Sequence, residues 1–235
     1  MNRRDLIKGG LVAGAALAAP ARALAQSLDQ AFDQTFATAA PAPSAVPAPV
    51  APVPLPANAM SQAAYERRVL DIAKSELEKA GSVVWRHDIV GIADFGRPSS
   101  VPRFHFANLE AGTVESFFVA HGRGSDQEHD GWLKTFSNEP GSEATSRGGY
   151  LTCEWYNGKY GTSIRLVGLN QDNSHALDRA IVLHPAWYAA PDMVAKWGKL
   201  GRSEGCFAMA PEQFNEALWR LSGGRLLFAD RISEV

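Results

Sequence analysis

Between residues 88 and 185 the chain runs in short stretches whose apolar and polar positions alternate, or stay apolar throughout. These are DIVGIADF from Asp88, RFHFANL from Arg103, VESFFVAH from Val114, GYLTCEWY from Gly149, SIRLVGL from Ser163 and RAIVLHP from Arg179. Glycine, proline, asparagine and aspartate punctuate them. The spacing predicts a series of short strands, and GRLLFADRI from Gly224 predicts a last one. Helical spacing brackets the strands. Ser61 stands as an N-cap before a stripe of Tyr65, Val69, Ile72 and Leu77, and Gly81 ends that helix. PDMVAKW from Pro191 predicts a short helix. PEQFNEALWRLS from Pro211 predicts another, with Phe214, Leu218 and Leu221 on one side and Gly223 at its end. The fold class is therefore mainly β with peripheral helices, a sandwich or barrel preceded by an N-terminal helix.

The first 60 residues read differently. Arg3 and Arg4 precede an apolar run from Gly9 to Ala19, and Ala23-Leu24-Ala25 offers a small-residue cleavage site. This is the three-part plan of a secretory signal, and the arginine pair points to twin-arginine export to the periplasm. The run is too short for a comfortable membrane span, so no stable membrane insertion is expected after cleavage. Leu28, Phe32 and Phe36 then recur every four residues. Prolines 41, 43, 47, 49, 52, 54 and 56 follow, a density that favours extended polyproline II. The organisation expected is a signal over 1–25, an Ala/Pro-rich linker over 26–60 and a folded domain over 61–235. A domain of that length can bury a core without disulfides.

Cleavage removes Arg3, Arg4, Lys8, Arg22 and Asp5, which takes the formal net charge from −2 to −5. That balance points away from nucleic acid and from anionic membranes as partners. His121, Asp126, Glu128, His129 and Asp130 crowd one stretch, but their spacing matches no zinc signature. No metal or other cofactor is expected. Gly122 and Gly124 lack the Lys-Ser/Thr helix start of a phosphate loop.

GRSEGCF, from Gly201 to Phe207, carries one of only two cysteines. A nucleophilic thiol needs a base, and its acyl intermediate needs backbone N–H groups for the oxyanion. Gly205 permits a tight turn and close approach of a substrate. His184 closes a strand-like run 22 residues upstream, a separation that lets the two meet. Two other readings of Cys206 stand beside this one: a disulfide with Cys153, usual in an exported chain, and an inert buried residue.

The stretch IVLHPAWYAAPDMVAKWGKLGRSEGCFAM resembles the active-site region of the L,D-transpeptidases of the YkuD-like family. VAHGRGS, FSNEPGS, YNGKYGTSIRLVGLN and RAIVLH resemble the same branch in the same order, over about residues 62–230. The resemblance raises the nucleophile above the disulfide. It implies Cys206 as nucleophile, His184 as base and Ser203 steadying the site. Gly205 and Cys206 N–H groups would form the oxyanion hole. Arg202 would lie near a substrate carboxylate, and Glu204 and Tyr188 would be among the substrate-binding positions. It also implies peptidoglycan peptide stems as the substrate and cross-linking as the activity. Water as acceptor would give an L,D-carboxypeptidase. Loss of chemistry would leave a wall-binding module, and His121 with His129 would suit a zinc peptidase. Glu204 departs from the family's usual His or Trp, Phe207 from its common Pro, and Pro185 follows the base. Glu204 would raise the thiol's pKa or bind a stem amine.

Overall fold

The computed structural model describes residues 61–232; the signal and linker expectations fall outside them. Helix α1, Gln62–Ala80, starts where Ser61 Oγ accepts the Ala64 N–H at 3.3 Å and ends at Gly81. Its buried side is Tyr65, Val69 and Ala73, with Ile72 and Leu77 only partly buried. Tyr65 carries its hydroxyl into the interior. There it donates to Asp94 Oδ2 (2.7 Å) and meets His105 Nε2 at 2.8 Å.

The strands are β1 Ile89–Asp94, β2 Phe104–Asn108, β3 Thr113–Phe117, β4 Gly148–Gly158, β5 Gly161–Gly168, β6 Val182–Pro185, β7 Phe207–Met209 and β8 Leu226–Asp230. They form one mixed sheet in the order β3-β2-β1-β8-β4-β5-β6-β7. The last strand in sequence is thus central. It runs parallel to β1 (Val90 opposite Leu226) and antiparallel to β4 (Gly149 opposite Phe228).

Alternation sorts the core into two faces. Val90, Ile92, Leu226 and Phe228 meet α1. Phe104, Phe106, Tyr150, Ile164, Leu183, Leu227 and Phe207 form the larger cluster. That cluster is covered by helix α3, Pro211–Leu221, through Phe214, Ala217 and Leu221. Among the described residues, no helix is long and apolar enough to cross a membrane.

VESFFVAH reads as one strand, but the structure divides it. Strand β3 ends at Phe117, and three residues later Ala120 pairs with Ala208 of β7, at the far edge of the sheet. Three residues reach at most about 10 Å, so the sheet curls until its two edges nearly meet. Buried Arg103 holds this corner, donating through Nε and Nη2 to the Val119 carbonyl at 3.1 and 3.0 Å. Gly122 continues alongside Ser203. The barrel-like closure brings residues 120–122 against the stretch that holds Cys206.

Candidate active site

Strands β6 and β7 run parallel, with Leu183 opposite Phe207 and His184 opposite Ala208. Parallel neighbours need a crossover. Here it is a 3-10 turn, Trp187–Ala189, then helix α2, Pro191–Trp197, and the loop to Cys206. Leu183 and Phe207 enter the main core. By alternation His184 leaves the opposite side, as does Cys206, one residue before Phe207. Both are almost wholly buried, His184 at 2% and Cys206 at 3% exposure.

The turn around the thiol is held internally. Ser203 Oγ donates to the Cys206 carbonyl at 2.6 Å and accepts the Gly205 N–H at 3.3 Å. Gly205 has φ +111°, a conformation that favours glycine. Its neighbour in space is Gly122, where an added Cβ would fall 2.6 Å from Gly205 Cα and 2.3 Å from the Glu143 carbonyl. Two glycines in contact let residues 120–124 pass directly behind the cysteine turn. The Ser203 N–H donates to His121 O (2.9 Å), and the Arg123 N–H donates to Ser203 O (2.8 Å).

The His184 tautomer follows from one contact. Nδ1 lies 3.0 Å from the Pro185 carbonyl, which can only accept, so Nδ1 carries the proton and Nε2 keeps its lone pair. Burial lowers the imidazole pKa to about 4. The Cys206 thiol donates to the Ala180 carbonyl at 3.6 Å. Burial pushes its pKa up to about 11; Glu204 adds to the rise, and the Val182 backbone and Arg179 oppose it. The resting site therefore holds a neutral thiol and a neutral imidazole. Both cysteines are free thiols, Cys153 lying half-buried in β4.

Three further side chains crowd the pair. Tyr160, at the tip of the β4–β5 hairpin, stacks on His184 with ring centroids 4.7 Å apart. Its hydroxyl pKa is pushed up to about 12 by burial and by the negative charge of Glu204 and of ionised Cys206. Tyr188 is raised too, by burial first and then by Cys206, Tyr160 and Glu204. Glu204 sits at the rim, 3.5 Å from an Arg123 that Glu143 grips bidentately. Arg202 turns instead to the loop beside it, donating through Nη1 to the carbonyls of Asp126 and Gln127.

His121 and His129 are built into the scaffold. His121 Nδ1 accepts from buried Arg103 at 2.6 Å, and Nε2 donates to Asp126 Oδ2 at 3.3 Å. Both ring nitrogens are occupied, one of them by a cation, which leaves no lone pair for a metal. His129 Nε2 donates to the Leu200 carbonyl at 3.0 Å. Among the described residues no cluster of His, Cys, Asp or Glu could hold a metal ion.

Sequence reasoning assigned no role to Tyr160, Arg179, Ala180 or Gly122. Arg179 and Ala180 lie inside RAIVLH. The visible signal there is only an arginine before an apolar run, while the left-handed Ala180 (φ +52°) two residues ahead of β6 leaves no trace in a periodicity.

A thiol and an imidazole presented by adjacent parallel strands, with glycines packed behind the thiol, define a candidate cysteine acyl-transfer centre. The chain belongs to the L,D-transpeptidase family: the model of the L,D-transpeptidase catalytic domain matches residues 58–229. The model of the twin-arginine translocation signal matches residues 1–20. No curated protein gives a significant match.

Solved structures with a similar fold include an L,D-transpeptidase from Mycobacterium tuberculosis. It is 14% identical with a TM-score of 0.39, and the match covers 61% of this chain and 57% of that one. L,D-transpeptidase 3 from the same organism is 13% identical with a TM-score of 0.40, covering 61% of each chain. The helical cell shape determining protein Pgp2 from Campylobacter jejuni is 12% identical with a TM-score of 0.39, covering 73% of this chain and 57% of that one. The match thus spans less than two thirds of each relative's length.

Proposed function

We propose that the protein is a periplasmic L,D-transpeptidase that cross-links peptidoglycan stems through a Cys206 thioester. The observation that carries this reading is the placement of His184 and Cys206 on the same side of β6 and β7, the imidazole held with Nε2 free to accept a proton. The Cys206 sulfur attacks the carbonyl of an L-centre in a donor stem while its proton passes to His184. The D-residue leaves as an amine and takes that proton. The amine of a second stem then attacks the thioester, loses a proton to His184, and frees the thiol. With a resting thiol near 11 and an imidazole near 4, a preformed ion pair is unfavourable. Proton transfer is therefore coupled to attack.

Gly205 and Cys206 N–H groups serve as oxyanion donors. The Gly205 N–H is held only at 3.3 Å by Ser203, long for a hydrogen bond. Ser203 fixes the turn. Arg202 spends Nη1 on the loop, which leaves its other N–H groups for a substrate carboxylate. Tyr188 and Glu204 bound the approach.

The test is incubation of the purified protein with disaccharide-tetrapeptide, with products read by mass. Cross-linked dimers support transfer. Shortened stems would make it an L,D-carboxypeptidase, and unchanged substrate would make it a binding module. A carbapenem should add its mass to Cys206 and not to the Cys206→Ser chain.

A further inference from the structure

The Arg179 side chain enters from the residue before Ala180 and reaches the underside of the cysteine turn. Nη1 donates to the Ser137 carbonyl (2.7 Å) and to Ser146 Oγ (2.6 Å). Nη2 donates to Ser142 Oγ (3.2 Å) and to the Ala144 carbonyl (2.5 Å). The same Ala144 carbonyl and the same Nη2 border Gly205, where an added Cβ would lie 2.8 and 3.2 Å from them. The next residue, Ala180, adopts φ +52° and supplies the carbonyl that accepts the Cys206 thiol. A non-glycine residue in that region is uncommon and strained. Arg179 and Ala180 therefore touch the cysteine turn from two directions.

All four of these hydrogen bonds go to neutral oxygens. They fix the guanidinium without pairing it to an anion. Burial lowers its pKa, while Tyr150, Cys206 and Glu139 act on it through the field and favour the charged form, so a positive charge sits in a half-buried place where solvent screens it poorly. The titratable groups around the sulfur are His184 from β6, Tyr150 from β4, Tyr160 from the hairpin tip, Tyr188 from the crossover and Glu204 from its own turn. Glu204 opposes a thiolate, and Arg179 is the cation that favours one.

We propose that Arg179 is a positioning residue of the catalytic centre, which locks residues 137–146 beneath the Gly205-Cys206 turn and keeps a positive charge beside the sulfur. This rests on Cys206 being the nucleophile of the proposed function. It adds that the thiol is activated from two sides: His184 removes the proton, and Arg179 stabilises the charge left behind.

The experiment compares full-length wild type, Arg179→Gln and Arg179→Lys. Iodoacetamide alkylation of Cys206 is followed against pH by the mass of its peptide, which separates it from Cys153. Arg179→Gln keeps hydrogen-bonding groups but removes the charge. Its alkylation midpoint should move up by about one pH unit, with a rate about tenfold lower at a fixed pH below both midpoints. Arg179→Lys should return the midpoint to near the wild-type value. On disaccharide-tetrapeptide, Arg179→Gln should lose kcat with little change in KM. A wild-type alkylation profile in Arg179→Gln, or a lysine chain that behaves as the glutamine chain does, would overturn the proposal. Should the glutamine chain fail to fold, lysine against wild type still decides: a retained midpoint supports it, and a rise of a full unit overturns it. Alkylation reads the thiol whatever the substrate is. Normal alkylation with no product from the tetrapeptide would count against the transpeptidase reading alone.

Discussion

Tyr160 stacks on His184 with 26° between the ring planes, although one sits at the tip of the β4–β5 hairpin and the other on β6. The stack is part of the cover over the imidazole, whose burial lowers its pKa to about 4. As the proposed base, His184 would accept a proton only while neutral, which would place the acid limb of activity at its pKa. Removing the cover in Tyr160→Ala lets water reach the charged form. The pKa should then climb toward the ordinary value of about 6.5, and the acid limb should climb with it. At pH 5 the variant should lose several-fold in turnover relative to its own rate at pH 8. A pH–rate profile with the wild-type acid limb would show that the ring does not shield the base.

Cys206→Ser keeps the size of the side chain but replaces the thiol by a hydroxyl that is far harder to ionise. His184→Ala removes the proton acceptor. General-base help is worth roughly 10²- to 10⁴-fold, so each change should nearly abolish product formation while far-UV circular dichroism stays unchanged. Cys153→Ser should leave turnover near wild type. Cross-links made by Cys206→Ser at the wild-type rate would remove the thioester mechanism.

A methyl group at Gly122 would collide with two backbones, at 2.3 Å from Glu143 O and 2.6 Å from Gly205 Cα. Neither partner is a flexible side-chain end. Gly122→Ala should therefore destabilise the fold by about 1–3 kcal/mol and displace the cysteine turn. Turnover should fall more than the folded fraction accounts for. A thermal melt and an assay on the same sample give the answer, and wild-type values in both would mean that the two segments part freely.

Acid should unfold the protein earlier than its carboxylates alone would dictate. His105, His121 and His184 are buried and neutral, with pKa values lowered to about 3, 4 and 4, chiefly by burial. In the unfolded chain each protonates near 6.5. Between about pH 6 and 4 the unfolded state therefore binds roughly two to three more protons than the folded one, the most near pH 5, and stability falls as pH falls. Below each folded value the loss levels off. Urea melts at pH 7.5, 6, 5 and 4 should show this slope, and His121→Gln should reduce it by about one proton. A flat profile across that interval would mean that the three rings protonate in place.

Much of the site is local in sequence and could be read there: the Gly205-Cys206 turn, the apolar strand that ends at His184, and Ser203 close to the thiol. The partners that hold it come from afar. His121, Asp126 and His129 look like metal ligands because they are near one another in sequence. What occupies His121 Nδ1 is Arg103, 18 residues upstream, and no local spacing reveals it. VESFFVAH reads as one strand because the apolar pattern persists across the point where the chain leaves β3 and joins the opposite edge. Strand β7 has three residues, too few to display an alternation. Tyr160 reaches His184 only because β6 pairs with β5 beside the β4–β5 hairpin, a relation that exists in the sheet and not along the chain.

The central place of β8 has a consequence for synthesis. Strands β3, β2 and β1 are made early, and β4 to β7 later, but β1 and β4 have no ladder between them until Leu226–Asp230 slides in. While the ribosome is still adding those residues, both strands present open hydrogen-bonding edges, the kind of surface that recruits other chains. The segment that matches the export signal precedes every strand, and the strand that completes the sheet follows the other seven. A translocation route that accepts folded cargo suits such a chain, because nothing emerging in part from the ribosome has a finished sheet to carry across.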